Sequence, residues 1–234
     1  MRPANTLSEQ DTASHELDVP RHVDWVDAKF ALLLGVIMVF VKVTSDAHPD
    51  WHFCRTTIDD IASVMIIGYV IARARRHPEK LDEWGLSTPI TWPAVLMGVA
   101  LAAIGIGMLV AGTILANGTL SFEPAYVSQM IEYIPAGFPQ QFVMCSIGLA
   151  ALSTLRAFRG SWRLPLAVGV VFSLAHFWTP ARIPGTIVPV QMILTLPAGF
   201  FAAFYFLKFR TIVPLTAIHA VMYPLLHNWI EMCL

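Results

Sequence analysis

The chain has 234 residues, of which 56% are hydrophobic and 13% charged, with a formal net charge of −1. Soluble domains carry roughly 25% charged residues, so this composition excludes a disordered chain and argues against a soluble fold. The near-zero net charge gives no electrostatic footprint for nucleic acid.

The first 26 residues, with SEQDTASHELD at their centre, form a polar tail without the apolar core or small-residue cleavage site of a signal peptide. Residues 27–234 read as one transmembrane helical domain. Uncharged or nearly uncharged runs place seven spans, at 29–44, 57–74, 92–116, 136–155, 164–180, 186–207 and 211–230. The clearest stretch is Trp84 to Phe122, 39 residues without a charge, where ~20 apolar residues suffice to cross a bilayer. The second span has only 12 uncharged residues, Ile61 to Ala72, so Asp59, Asp60 and Arg73 must lie near the headgroups or face protein. The runs lack the alternation of a membrane barrel, and the expected fold is all-α, a polytopic helical bundle.

Lys and Arg decide the orientation, because they are retained on the cytoplasmic side. With the N-terminus inside, twelve cations are cytoplasmic and three, Lys42, Arg55 and Arg182, are outside. The expectation is an integral, multi-pass protein with a cytoplasmic N-terminus and an outer C-terminus, and membrane lipid as its first partner.

Polar groups inside such spans are costly and therefore informative. Gln140 and Gln141 lie near the start of the fourth span, His176 near the end of the fifth and His219 near the middle of the seventh. The orientation brings these three helices' polar groups to similar depth, as a buried polar site requires. A single Gln or His in a bundle also serves as packing glue. His219, Tyr223 and His227 follow at i, i+4 and i+8, which lines them along one helical face. Cys54, Cys145 and Cys233 are scattered thiols without a metal spacing, and the expected structure needs no cofactor. His48 and His52 have a chelating separation, but Pro49 between them disfavours a helical chelate.

At these residues the sequence resembles the CPBP family of intramembrane proteases, the group of type II CAAX prenyl endopeptidases and bacteriocin-immunity (Abi) proteins. That family carries Glu-Glu-x-x-x-Arg, Phe-x-x-x-His and His-x-x-x-Asn/Asp motifs. The second is intact as Phe172-Ser-Leu-Ala-His176, and the third is half kept, with His219 in place and Tyr223 at the Asn/Asp position. The first departs: Gln140 and Gln141 stand at the glutamate positions and Cys145 at the arginine position. LDEWGLSTP, residues 81–89, and residues 199–220 also look like the family.

The resemblance implies that His176 and a first-motif glutamate would activate water, while His219 and its partner would stabilise the oxyanion. A glutamine amide cannot accept the water's proton, and losing a positioned base typically costs ~10²–10⁴ in rate. Both signs of charge have left together, Glu-Glu to Gln-Gln and Arg to Cys. Removing one partner of a buried pair costs ~3–5 kcal/mol, whereas removing both can be nearly neutral. The expectation is a non-hydrolytic pseudoprotease that binds a polypeptide or lipidated segment as scaffold, immunity or regulatory partner. Two alternatives stay open. One is an active CAAX-type endopeptidase using His176 and His219 with another base, for which Glu132 is the nearest carboxylate in sequence. The other is a cofactor or metal binder built on His176, His219, Tyr223 and His227.

Overall fold

A computed structural model describes residues 24–47, 55–158, 162–177, 179, 182–183 and 185–230. The polar tail before residue 24, Cys54, Cys233, His48 and His52 lie outside the described residues. Those described form α-helices and one π-helical segment, with a single isolated antiparallel bridge between Arg182 and Pro189. In chain order they are α1 (Trp25–Ala47), α2 (Arg55–Arg76), α3 (Lys80–Glu83), α4 (Trp92–Asn117), α5 (Ala125–Glu132) and α6 (Ile134–Gln141). The π segment (Phe142–Gly148), α7 (Leu149–Ser153), α8 (Arg163–Leu174), α9 (Val190–Phe209) and α10 (Val213–Trp229) follow.

Every expected span contains a helix, but among the described residues only α4, over Trp92–Leu115, and α9 are long and apolar enough to cross a membrane. The 12 residues of α8 rise only ~18 Å at 1.5 Å each, short of a ~30 Å hydrocarbon core. The outer surface is apolar: Leu96, Val99 and Ile104 of α4 and Leu32, Val36 and Phe40 of α1 are all exposed. A patch of that extent marks a lipid- or protein-facing surface.

Local sequence explains the ends of α4. Thr91 caps its start by accepting a hydrogen bond from Ala94 N at 3.4 Å, and Pro93 occupies the first turn, where its missing N–H costs nothing. Gly118, at φ 71°, ends it in the left-handed conformation with its N–H on the Ile114 carbonyl.

Helices α8 and α9 cross at two glycines. A methyl group on Gly169 would stand 2.6 Å from the Leu196 carbonyl oxygen, and one on Gly199 would stand 2.9 Å from Gly169 Cα. Small residues let membrane helices approach to this distance and gain dispersion contact along the seam. Tyr205 on the same helix is buried and donates to the Ala94 carbonyl at 2.9 Å, joining α9 to the start of α4.

The second organising region gathers charges far apart in sequence. Asp27 accepts from the Tyr69 hydroxyl at 2.5 Å and from Trp84 Nε1 at 3.2 Å. Asp24 pairs with Arg73 at 2.5 Å and with Lys80 at 3.0 Å, and Lys80 also pairs with Glu83. Arg73 therefore faces protein, one of the two placements expected for it. Burial alone would raise the Asp24 carboxyl, but hydrogen bonds from Lys80, the Val26 N–H and Arg73 outweigh it and hold the group at about 2. Burial likewise opposes the charge on Lys80, and its carboxylate partners overcome it and raise its pKa. Helix α1 begins at Trp25, and Asp24 belongs to this network.

The LDEWG run lies on this region. Trp84 is buried against the Phe142 edge with ring centroids 5.1 Å apart, and its carbonyl accepts from Ser146 at 2.8 Å. Gly85, at φ 70°, sits where a methyl group would strike the Arg210 carbonyl oxygen at 2.7 Å, and its own carbonyl accepts from Ile212 N. Only glycine meets both the conformation and the space.

Candidate functional site

Pro135 lies in the first turn of α6 and Pro139 inside it. Gln140 and Gln141 end the helix, and the backbone then opens into the π segment. Single π turns of this kind interrupt α-helices frequently at functional sites. The fourth span expected at 136–155 is thus an unbroken helical run over 134–153, with the π segment lying between α6 and α7.

Helix α6 packs on α10 through Gly137, where a methyl group would meet His219 Cδ2 at 3.5 Å and the Thr216 carbonyl oxygen at 3.7 Å. This approach brings two expected site residues together. Gln141 Nε2 lies 2.8 Å from His219 Nδ1, and the Cys145 thiol lies 3.8 Å from Gln141 Oε1. Gln141 and Cys145 are both buried. Gln140 donates to the Tyr133 hydroxyl at 3.0 Å.

The helical stripe His219, Tyr223 and His227 lies on one face of α10, and its rings are nearly parallel. Tyr133, between α5 and α6, stacks on Tyr223 with centroids 3.9 Å apart and 5° between planes, and on His219 at 5.8 Å and 8°. Tyr223 and His227 follow at 6.1 Å and 4°. Tyr133 was not foreseen. Its signal was a position seven residues before Gln140, two helical turns away on the same face, but the Tyr133–Ile134 helix junction obscures that register.

The fifth span was expected to reach 180, with His176 inside it. Instead α8 ends at Leu174, and His176 lies in the turn that follows. The i→i+3 bonds from His176 N to Ser173 and from Thr179 N to the His176 carbonyl close that turn. His176 Nδ1 lies 2.7 Å from the Phe172 carbonyl, and its ring meets Phe172 edge-on at 4.7 Å. Phe172 and His176 are therefore one local unit.

Glu132, the nearest carboxylate in sequence to the glutamines, is exposed at the end of α5. Among the described residues no three His, Cys, Asp or Glu side chains form a metal-holding group. Chemically the cluster is a set of neutral donors and acceptors flanked by stacked aromatic rings. No family model, no curated protein and no solved structure matches this chain.

Proposed function

We propose that this is a multi-pass intramembrane protein of the CPBP type, with a cytoplasmic N-terminus and seven membrane-inserted segments. In this reading it has given up hydrolysis and binds a polypeptide or lipidated segment as scaffold, immunity or regulatory partner. The carrying observation is the contact between Gln141 and His219 at 2.8 Å. It puts an amide rather than a carboxylate against His219. An amide has no useful basicity near neutral pH, so the site keeps hydrogen-bonding capacity without a first-motif base. The charge-free exchange at Gln140, Gln141 and Cys145 supports the same reading, because the buried thiol and amide satisfy each other without an ion pair.

The test uses the purified full chain in bilayers. With a prenylated CAAX peptide or an apolar transmembrane peptide, cleavage should not exceed that of His176→Ala. Photoreactive versions of the same peptides should label α6 or α10, and Gln141→Leu should reduce the labelling. Cleavage clearly above the His176→Ala control refutes the non-hydrolytic reading, and absence of labelling by either peptide removes the binding role.

A further inference from the structure

Three helices carry an exposed cation at one end of the bundle, each in line with exposed apolar side chains. On α1, Trp25, Lys29, Leu33, Val36 and Phe40 recur at helical spacing and all are exposed. On α2 the exposed set is Arg75, Ile71 and Val64, in reverse chain order, with Arg76 exposed beside it. On α9 Lys208 shares a face with the exposed Phe201, seven residues earlier. Two contacts bring these cations to the same end: Asp24 beside α1 pairs with Arg73 of α2, and Arg210, just beyond α9, donates to the Glu83 carbonyl of α3 at 3.3 Å. The acids of that end have other partners. Asp24 and Asp27 face Arg73 and Lys80, Glu83 pairs with Lys80, Glu79 lies 3.1 Å from His77 Nδ1, and Asp82 accepts from the Ser87 hydroxyl. Among the described residues no carboxylate pairs with Lys29, Arg75, Arg76 or Lys208.

We propose that these faces bind anionic phospholipid of one leaflet, with the phosphate on Lys29, on Arg75 and Arg76, or on Lys208, and an acyl chain along the apolar residues of the same helix. The inference rests on the membrane-inserted part of the reading above and is independent of whether the chain hydrolyses peptides. Charge and shape both select an amphiphile. A free phosphate would meet the cation and leave the apolar face bare, and a neutral lipid would cover the face and leave the cation without a counterion. The length also fits. Lys29 to Phe40 rises ~16 Å at 1.5 Å per residue, as does Arg75 to Val64, and one leaflet is half of a ~30 Å hydrocarbon core. Side chains lean toward a helix N-terminus, so Lys29 reaches back toward Trp25, whose exposed indole suits headgroup depth.

The experiment reconstitutes the full chain in phosphatidylcholine bilayers containing a trace of phosphatidylglycerol or phosphatidylcholine, spin-labelled near the end of one acyl chain. Electron paramagnetic resonance then reads the fraction of each lipid immobilised against the protein. One cation at an anionic surface changes association about fivefold. Averaged over a perimeter on which most positions carry no cation, the expected preference for phosphatidylglycerol is about twofold. It should shrink at about 1 M salt, where the Debye length falls to about 3 Å. The combined variant Lys29→Gln, Arg75→Gln, Arg76→Gln and Lys208→Gln should lose most of the preference while immobilising as much phosphatidylcholine as wild type, which shows that it is folded. Lys29→Arg with Lys208→Arg should keep the preference. Excess sn-glycerol 1-phosphate should leave it in place, because this headgroup fragment has no chain for the apolar face. Equal immobilisation of the two lipids, or a preference undiminished in the glutamine variant, overturns the proposal. Loss of the preference to glycerol phosphate assigns the cations to a free phosphate and overturns the lipid. Immobilisation of neither lipid would instead overturn the membrane reading itself.

Discussion

Replacing Gly169 by alanine puts the α8–α9 crossing under direct test. The added methyl group would stand 2.6 Å from the Leu196 carbonyl oxygen, 3.0 Å from Phe200 N and 3.4 Å from Phe200 Cα. All three are backbone atoms, so no side-chain rotation relieves the contact and the helices must part. A separation of about 0.5–1 Å forfeits a quarter to a half of each dispersion contact along the seam. Overpacking of this kind costs about 1–3 kcal/mol, against which alanine's helix propensity returns about 0.5–1 kcal/mol. The net expectation is a loss of about 1–2 kcal/mol. Gly107→Ala in α4 is the matched control, because a methyl group there has nothing within 4 Å and gains the propensity alone. Unfolding of the full chain in mixed micelles, followed by far-ultraviolet circular dichroism against increasing SDS, should separate the two variants by about 2 kcal/mol. Coincident unfolding curves would falsify the close crossing, and with it the packing that positions Phe172 and His176 beyond Gly169.

The Asp24 network predicts an acid-dependent stability. The folded carboxyl lies at about 2, below its ordinary 3.8, so its contribution is present above 3.8 and is lost as pH falls through about 2. With screening at an interfacial site this amounts to about 1 kcal/mol. Asp24→Asn should remove that part of the acid sensitivity, and an identical pH profile in wild type and variant would contradict it. The topology is checked by labelling single cysteines: position 117 should react from outside the cell and positions 75 and 156 only from the cytoplasmic side, following the excess of Lys and Arg expected inside. Reaction of position 117 from the cytoplasm would reverse the orientation.

Much of the helical layout was legible because each helix is encoded locally. The span expected at 92–116 matches α4 to within a residue, and Thr91, Pro93 and Gly118 mark its ends by backbone chemistry that needs no distant partner. The period of 3.6 residues was enough to align His219, Tyr223 and His227, and residue type alone marked Gln140, Gln141 and His176 as polar groups in apolar surroundings. What the sequence left open was who meets whom. The Tyr133 stack, the pairing of Gln141 with His219 across 78 positions and the link from Trp84 to Asp27 across 57 all depend on how helices cross. The end of α8 at Leu174 was equally hidden, because Ala175 to Thr179 include no proline or glycine, and turn bonds around His176 take over from the helix there. Local patterns state which face of a helix must be covered, whereas the partner that covers it is chosen by packing. At Gly137, Gly169 and Gly199 that choice depends on the space a missing methyl group leaves for another helix.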